Sequence, residues 1–204
     1  MEYNEKYYTS GNYENYLKRK FYDLAVDIAN EIYLTPDKEV IDYGCGYGGL
    51  LGELWNMGFD NLYGTDISMW VIDYGKLKFP HIADKLHFHN VDRLTERFDH
   101  LFLLDVLEHM PEAEIKAILT LANLRGFLVA RIPVSAREGE EYVLDASNRD
   151  TTHICCHTRN WWIDFFDSNG YDFKNDIKKG SIYSSDGVLA GKWIKNHKIP
   201  KYGD

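Results

Sequence analysis

Residues 40–49, Val-Ile-Asp-Tyr-Gly-Cys-Gly-Tyr-Gly-Gly, carry an apolar run into an acid at Asp42 and then into glycines at 44, 46 and 48. Glycines so spaced let a chain bend sharply and let a ligand approach main-chain atoms that a Cβ would shield. A second strand-like run, Asn61 to Thr65, ends at Asp66, 22 residues after Gly44, the interval at which a carboxylate usually meets a ribose diol. The pattern is a strand, a cofactor turn and a helix, followed by a second strand ending in an acid.

As letters, Gly44 to Gly49 also satisfy the G-x-G-x-x-G dinucleotide fingerprint. Two features pull away from a nicotinamide dinucleotide. Asp42 would repel a pyrophosphate and attract an ammonium group, and the run Leu104-Asp105-Val106-Leu107-Glu108-His109 closes another apolar strand. With Asp66, these motifs make the chain resemble the class I S-adenosylmethionine-dependent methyltransferases, in particular small single-domain members acting on small molecules and sugars. The resemblance covers roughly residues 38–175. It implies that Asp42, Gly44, Cys45, Gly46 and Gly48 hold the methionine moiety of S-adenosylmethionine, and that Asp66, with Ile67 beside it, binds the ribose hydroxyls. It further implies that Asn90, Val91 and Asp92 meet the adenine, and that Asp105 and Val106 lie near the reacting methyl. Two other classes stay open: a nicotinamide-dependent oxidoreductase, resting on the glycine letters alone, and a non-catalytic binding module that keeps the cofactor fold.

Composition narrows the class. A chain of 204 residues, 45% hydrophobic, can bury a full core. The expectation is one domain, 1–204, with residues 1–35 forming an N-terminal lid and helix and residues 133–157 an acceptor-side loop. No apolar run is long enough to cross a bilayer and the first residues lack a signal-peptide pattern, so a cytoplasmic protein without membrane contact is expected. Three cysteines make no disulfide framework. A net charge of -9 disfavours nucleic acid and leaves a small molecule as the expected acceptor; the pattern specifies no oligomeric state.

Along the chain, Leu17, Phe21, Leu24, Ile28 and Ile32 recur at helical spacing before Pro36. Strands are expected at about 39–43, up to Asp66, at Leu86–His89, 99–104, Phe127–Ile132, Tyr171–Phe173 and Gly187–Ile194. Helices are expected after the glycine turn, after Ser68, from Pro111 and after an N-cap at Thr158. The alternation implies an α/β three-layer sandwich whose seven-stranded sheet is mostly parallel, with helices on both faces. An antiparallel last strand is what the resemblance adds. Two segments read as irregular, residues 1–16 and 133–157.

These two segments are left to build the acceptor pocket. Tyr3, Tyr7, Tyr8, Tyr13 and Tyr16 suit a lid, with Tyr13 and Tyr16 the candidates for substrate contact, although the same rings also suit a stabilising arm. Lys18-Arg19-Lys20 reads as a solvated face. A hydroxyl acceptor needs a proton sink, and His109, after the fourth strand, and His153, in the loop before the Thr158 helix, are the candidate bases. Glu108 and Arg131 would orient acceptor hydroxyls or carboxylates, or else pair with one another. His157 belongs to the run His153-x-x-x-His157-Thr158, which resembles an acceptor-facing segment of sugar and lipid methyltransferases. No metal is expected: the four potential ligands in His153-Ile154-Cys155-Cys156-His157 cannot easily wrap one ion, and no second pair sits at zinc spacing; the alternative is a first-row metal held by two of them with Asp145 or Asp150.

Overall fold

The computed structural model describes residues 3–177 and 186–196; Met1 and Glu2 of the expected lid, and the chain beyond 196, lie outside them. The sheet comprises β1 (Val40–Tyr43), β2 (Leu62–Asp66), β3 (Leu86–Phe88), β4 (His100–Leu104), β5 (Phe127–Pro133), β6 (Tyr171–Asp176) and β7 (Val188–Lys195). The strand order is 3-2-1-4-5-7-6. Neighbours among β1 to β5 are parallel, and β7 is antiparallel to both β5 and β6. The helices are α1 (Glu5–Thr9), α2 (Tyr22–Glu31), α3 (Gly49–Asn56), α4 (Met69–Lys78), α5 (Glu112–Leu121), α6 (Asp145–Asn148) and α7 (Arg159–Ser168).

The three layers follow from strand alternation. Ile41, Leu101, Leu103, Leu128, Ala130 and Ile132 face one side, where Ile115, Ile118 and Leu119 of α5 and Trp162 and Phe166 of α7 cover them. Val40, Leu62, Phe102 and Val129 face the other, under Leu24 and Ile28 of α2, Leu50, Leu51 and Leu54 of α3 and Ile72 of α4. A parallel sheet has both faces dry, so its strands read as apolar runs rather than alternating ones. Each large side chain so buried contributes about 1.5–3 kcal/mol.

The local signals operate as their chemistry predicts. Ser68 Oγ accepts from Val71 N at 3.2 Å, and Thr158 Oγ1 from Trp161 N at 3.2 Å, so both helices begin where a side-chain oxygen replaces a missing acceptor. Gly58 and Gly170 follow α3 and α7 in left-handed conformation. The first long helix is shorter than its periodicity: Leu17 sits in a separate 3-10 turn, Tyr16–Lys18, and α2 starts only at Tyr22. The segment read as irregular before residue 16 contains α1, capped by Asn4, and that at 133–157 contains α6. Among the described residues no helix is long and apolar enough to cross a membrane.

His100, at the start of β4, is 5% exposed, and its Nδ1 accepts from Phe127 N at 3.2 Å. Burial pushes its pKa down to about 4. The unfolded chain therefore binds a proton that the folded chain refuses, and stability falls as pH drops from about 6.5 towards 4, by up to about 3 kcal/mol. In urea melts from pH 7 to pH 4.5, His100→Gln should lose distinctly less stability than the wild type; parallel curves would show that His100 does not set the acid limb.

Candidate functional site

Thr65 and Asp66 tie three strand ends together. Thr65 O accepts from Gly44 N (2.7 Å) and Cys45 N (3.1 Å), which folds the turn after β1 onto the end of β2. The Asp66 carboxylate accepts from Gly46 N (2.9 Å) and Ser68 N (2.8 Å), its carbonyl accepts from His89 N (2.8 Å), and Thr65 Oγ1 accepts from Asn90 N (2.9 Å). Gly44 and Gly46 both have positive φ, at 83° and 55°. A Cβ on Gly44 would strike Val106, and one on Gly46 would strike the Tyr16 hydroxyl, so the turn needs glycine for both backbone and space.

Beside this turn lies a cavity of about 430 Å³ at the carboxyl edge of the sheet. Asp42, Gly44, Cys45, Gly46, Asp66 and Ile67 line one end, and Asp105, Val106, Glu108, His109, Arg131 and His153 line the other. Asp42 is 4% exposed; burial, then the charge of Asp66, push its carboxyl up to about 7. Burial raises Asp66 too, against the opposing effect of its two N–H donors. A buried acidic pair of this kind favours a cationic ligand.

The tyrosine segment closes the cavity from above. Tyr3, Tyr7, Tyr8, Tyr13 and Tyr16 all line it. Tyr13 donates to Asp150 Oδ2 at 2.8 Å and Tyr7 to the same oxygen at 3.4 Å, so the segment is fastened to the loop after β5. Tyr3 and Tyr7 meet edge to face at 4.9 Å, and Tyr3 lies edge-on to His109 at 6.1 Å. Arg19, expected on a solvated face, also lines the cavity.

At the other end, Glu108 O accepts from Ile154 N (2.8 Å) and Cys155 N (3.1 Å), which brings the loop after β4 against the loop before α7. His109 and His153 consequently stand 4.6 Å apart, ring centre to ring centre. Thr152 Oγ1 donates to Asp150 Oδ1 at 2.6 Å and lies 2.7 Å from His109 Nδ1. A hydroxyl has one proton to give, so Nδ1 of His109 must be the donor to Thr152, and Nε2 carries the lone pair. His153 Nε2 lies 3.6 Å from Asp150 Oδ2 and 4.0 Å from Glu108 Oε1. Burial, then the neighbouring His153, lower the His109 pKa to about 4; burial also lowers His153 and pushes Glu108 well up. Both shifts run towards the neutral imidazole, so neither ring is a strong base in the closed site. Asp105 holds a left-handed φ of 55°, rare for a non-glycine residue, and ion-pairs with Arg131. Arg131 thus pairs with Asp105 rather than with Glu108.

Other expected site residues lie off the cavity wall. Gly48 sits at the start of α3, against Leu86 and Ile82. Asn90 and Val91 lie past β3, and Asp92 is exposed in a 3-10 turn, its N–H donating to Asn90 Oδ1. His157 lies between Glu112 (3.2 Å) and Glu138 (3.0 Å) and stacks on Trp161 at 3.6 Å, on the flank of α7. The residues the sequence did not single out for this network are Asp150 and Thr152. Their only signal was an Asp-x-Thr-His run in a long loop, which says nothing of what it will touch.

With this geometry in view, the comparisons are direct. Residues 13–174 match the methyltransferase-domain family. No curated protein is matched by the sequence. Among solved structures, magnesium protoporphyrin IX methyltransferase from Synechocystis PCC 6803 with bound S-adenosylhomocysteine is similar in fold, at TM-score 0.61 and 18% identity over 85% of this chain and 81% of that one. The glycopeptide N-methyltransferase MtfA, complexed with the same ligand, has TM-score 0.66 and 12% identity over 87% and 90%. A methyltransferase from Archaeoglobus fulgidus has TM-score 0.61 and 14% identity over 89% and 95%. The glycine letters shared with dinucleotide enzymes are thereby resolved: the chain belongs to the methyltransferase-domain family.

Proposed function

We propose that this protein transfers the methyl group of S-adenosylmethionine to an oxygen atom of a small molecule, such as a sugar-containing metabolite, or alternatively to a nitrogen or carboxylate of one, with S-adenosylhomocysteine as product. The observation that carries the reading is one cavity with a buried acidic, glycine-lined end and a histidine-lined end. The donor fits the acidic end: Gly44 and Gly46 leave the space a Cβ would fill, Asp42 suits the ammonium, and the Asp66 carboxylate has lone pairs left over from its two N–H donors for ribose hydroxyls. When bound, it supplies an electrophilic methyl on a sulfonium. Displacement at that carbon is in line, so the protein's main task is to hold the nucleophile on the sulfur–carbon axis.

The acceptor belongs at the other end, against Glu108, His109, His153 and Arg131, under Tyr13 and Tyr16. His109 and His153, neutral and weakly basic, hold an acceptor hydroxyl by accepting its hydrogen bond rather than removing its proton unaided. The tyrosine lid excludes solvent and orients the two reactants. The solved neighbours act, by their names, on a magnesium porphyrin and a glycopeptide. The scaffold thus accepts unlike acceptors, and the loops of this chain decide its own.

Three outcomes test the donor site by calorimetry with S-adenosylhomocysteine or S-adenosylmethionine. Asp66→Ala should weaken binding by about 2–4 kcal/mol, the scale of charge-assisted bonds lost in a buried site; unchanged affinity would remove the ribose assignment. Gly46→Val should abolish binding with helical content retained, because the displaced group is the tip of the Tyr16 side chain. With Asp42 near 7 in the free protein, binding of a cationic ligand below that pH must first remove a proton. Affinity should rise by up to about tenfold per pH unit towards 7 and level off above it, and Asp42→Asn should bind weakly with a flat profile. A flat wild-type profile would place the ammonium elsewhere.

A further inference from the structure

The acceptor end of the cavity contains a set of donor atoms that the hydrogen-bond network leaves open. One ligand atom from each of Glu108, His109 and His153 lies within 4.8 Å of the other two, and no other such trio of histidine, cysteine or acidic ligands occurs among the described residues. Glu108 is 1% exposed, yet its Oε2 has no hydrogen-bond partner among the described residues, and neither has the buried Nδ1 of His153. Leaving a buried acceptor unsatisfied costs about 1–3 kcal/mol, more for a charged group. Both orphaned atoms belong to residues of this trio, and all three residues line the cavity.

We infer that Glu108, His109 and His153 bind a first-row divalent cation, with open coordination positions turned to the cavity. The set of two imidazoles and one carboxylate suits manganese, iron, cobalt or zinc, and suits magnesium or calcium poorly. The second tier is built. Thr152 takes the Nδ1 proton of His109 and so fixes the tautomer whose Nε2 is free to ligate, while Asp150 receives the Thr152 hydroxyl. The backbone clamp from Glu108 O to Ile154 N and Cys155 N holds the Glu108–His109 pair against the segment carrying His153. The Cys155-Cys156-His157 run does not form an alternative site: Cys155 packs in the core, Cys156 Sγ lies 3.5 Å from Glu140 O, and His157 is engaged by Glu112 and Glu138. The expectation of no metal rested on sequence spacing around His153, whereas this trio is assembled from two loops.

The role of the ion, though not its binding, rests on the methyl-transfer reading. Hydroxyl oxygens of the acceptor would occupy the open positions, and a bound cation acidifies a coordinated hydroxyl, which removes the need for a strong base in the pocket. The coordinated hydroxyl loses its proton to bulk water before the lid closes; the oxygen–methyl bond then forms as the sulfur–methyl bond breaks, that bond's electron pair staying on sulfur, and no oxidation state changes. In this arrangement the two histidines act as ligands.

The test uses the full chain freed of metal by chelator and titrated with cobalt(II) and manganese(II). Cobalt should give a visible absorption band at one equivalent, and manganese should lose its free-ion electron paramagnetic resonance signal. Glu108→Gln, His109→Gln and His153→Gln should each weaken binding by more than about 100-fold, beyond what loss of a merely orienting partner does; His87→Gln, off the cavity, should bind as the wild type. Melting curves of the metal-free variants identify any that fails to fold, and a folded ligand variant with wild-type affinity overturns the site. So does a wild type that takes up neither ion at one equivalent. Calorimetry with S-adenosylhomocysteine on the same samples separates the two readings. Cofactor binding without metal uptake removes the metal site alone, whereas metal uptake without cofactor binding leaves the site and removes the methyl-transfer reading.

Discussion

The carbonyl of Thr65 and the carboxylate of Asp66 are the fixed point from which the site is built. Five backbone N–H groups, those of Gly44, Cys45, Gly46, Ser68 and His89, converge on these two residues, and a sixth, from Asn90, meets the Thr65 hydroxyl. The ends of β1, β2 and β3 are thereby tied to one another. Buried main-chain donors must find acceptors, and here the acceptors sit at the carboxyl edge of the sheet, where the chain must turn without a ladder partner. The same bonds oblige Gly44 and Gly46 into left-handed conformations, which open the space beside them.

A second constraint works at the other end of the cavity. The loop after β4 is short and strained at Asp105, and it ends in a carbonyl, that of Glu108, which takes two N–H groups from a segment far along the chain. Packing two titratable loops against each other in a low-dielectric site suppresses their charges. The histidines lose affinity for protons and the glutamate gains it, in each case because burial disfavours the ionised form. Groups in that condition are poor free acids and bases at neutral pH, yet are well arranged to act together on something that enters between them.

The tyrosine segment joins these two ends. Its rings rest on α4 and the glycine turn through Tyr8, Trp70, Tyr16 and Tyr47, while Tyr7 and Tyr13 reach Asp150 at the histidine-lined end. Aromatic groups with a polar tip suit this, since the ring buries area and the hydroxyl finds an acceptor at its far end. The tyrosine segment and the loop that carries Asp150 are fastened through the same carboxylate that orients Thr152.

How much of this was legible in the sequence follows the range of the forces involved. The strand, the glycine turn, the acid at Asp66, the caps at Ser68 and Thr158 and the alternation of elements are written in local spacing, because a helix cap, a left-handed turn and an apolar face each depend on residues a few positions apart. They determined the α/β class and the acidic, glycine-lined end of the cavity. Local spacing misjudged what non-local packing decides. It ran one helix from Leu17 to Ile32, where the structure separates Leu17 into a turn that carries Tyr16 down onto Gly46. The family resemblance set His157 among the substrate-binding candidates; in the structure two glutamates and Trp161 hold it on the flank of α7, off the cavity wall. Local spacing gave Thr152 no role and Asp150 only that of an alternative metal ligand, whereas their place in the network comes from contact with Tyr13 and His109. Only the tertiary structure brought His109 and His153 together, because the clamp on the Glu108 carbonyl joins loops that no period or motif relates, and burial at that junction then set their protonation.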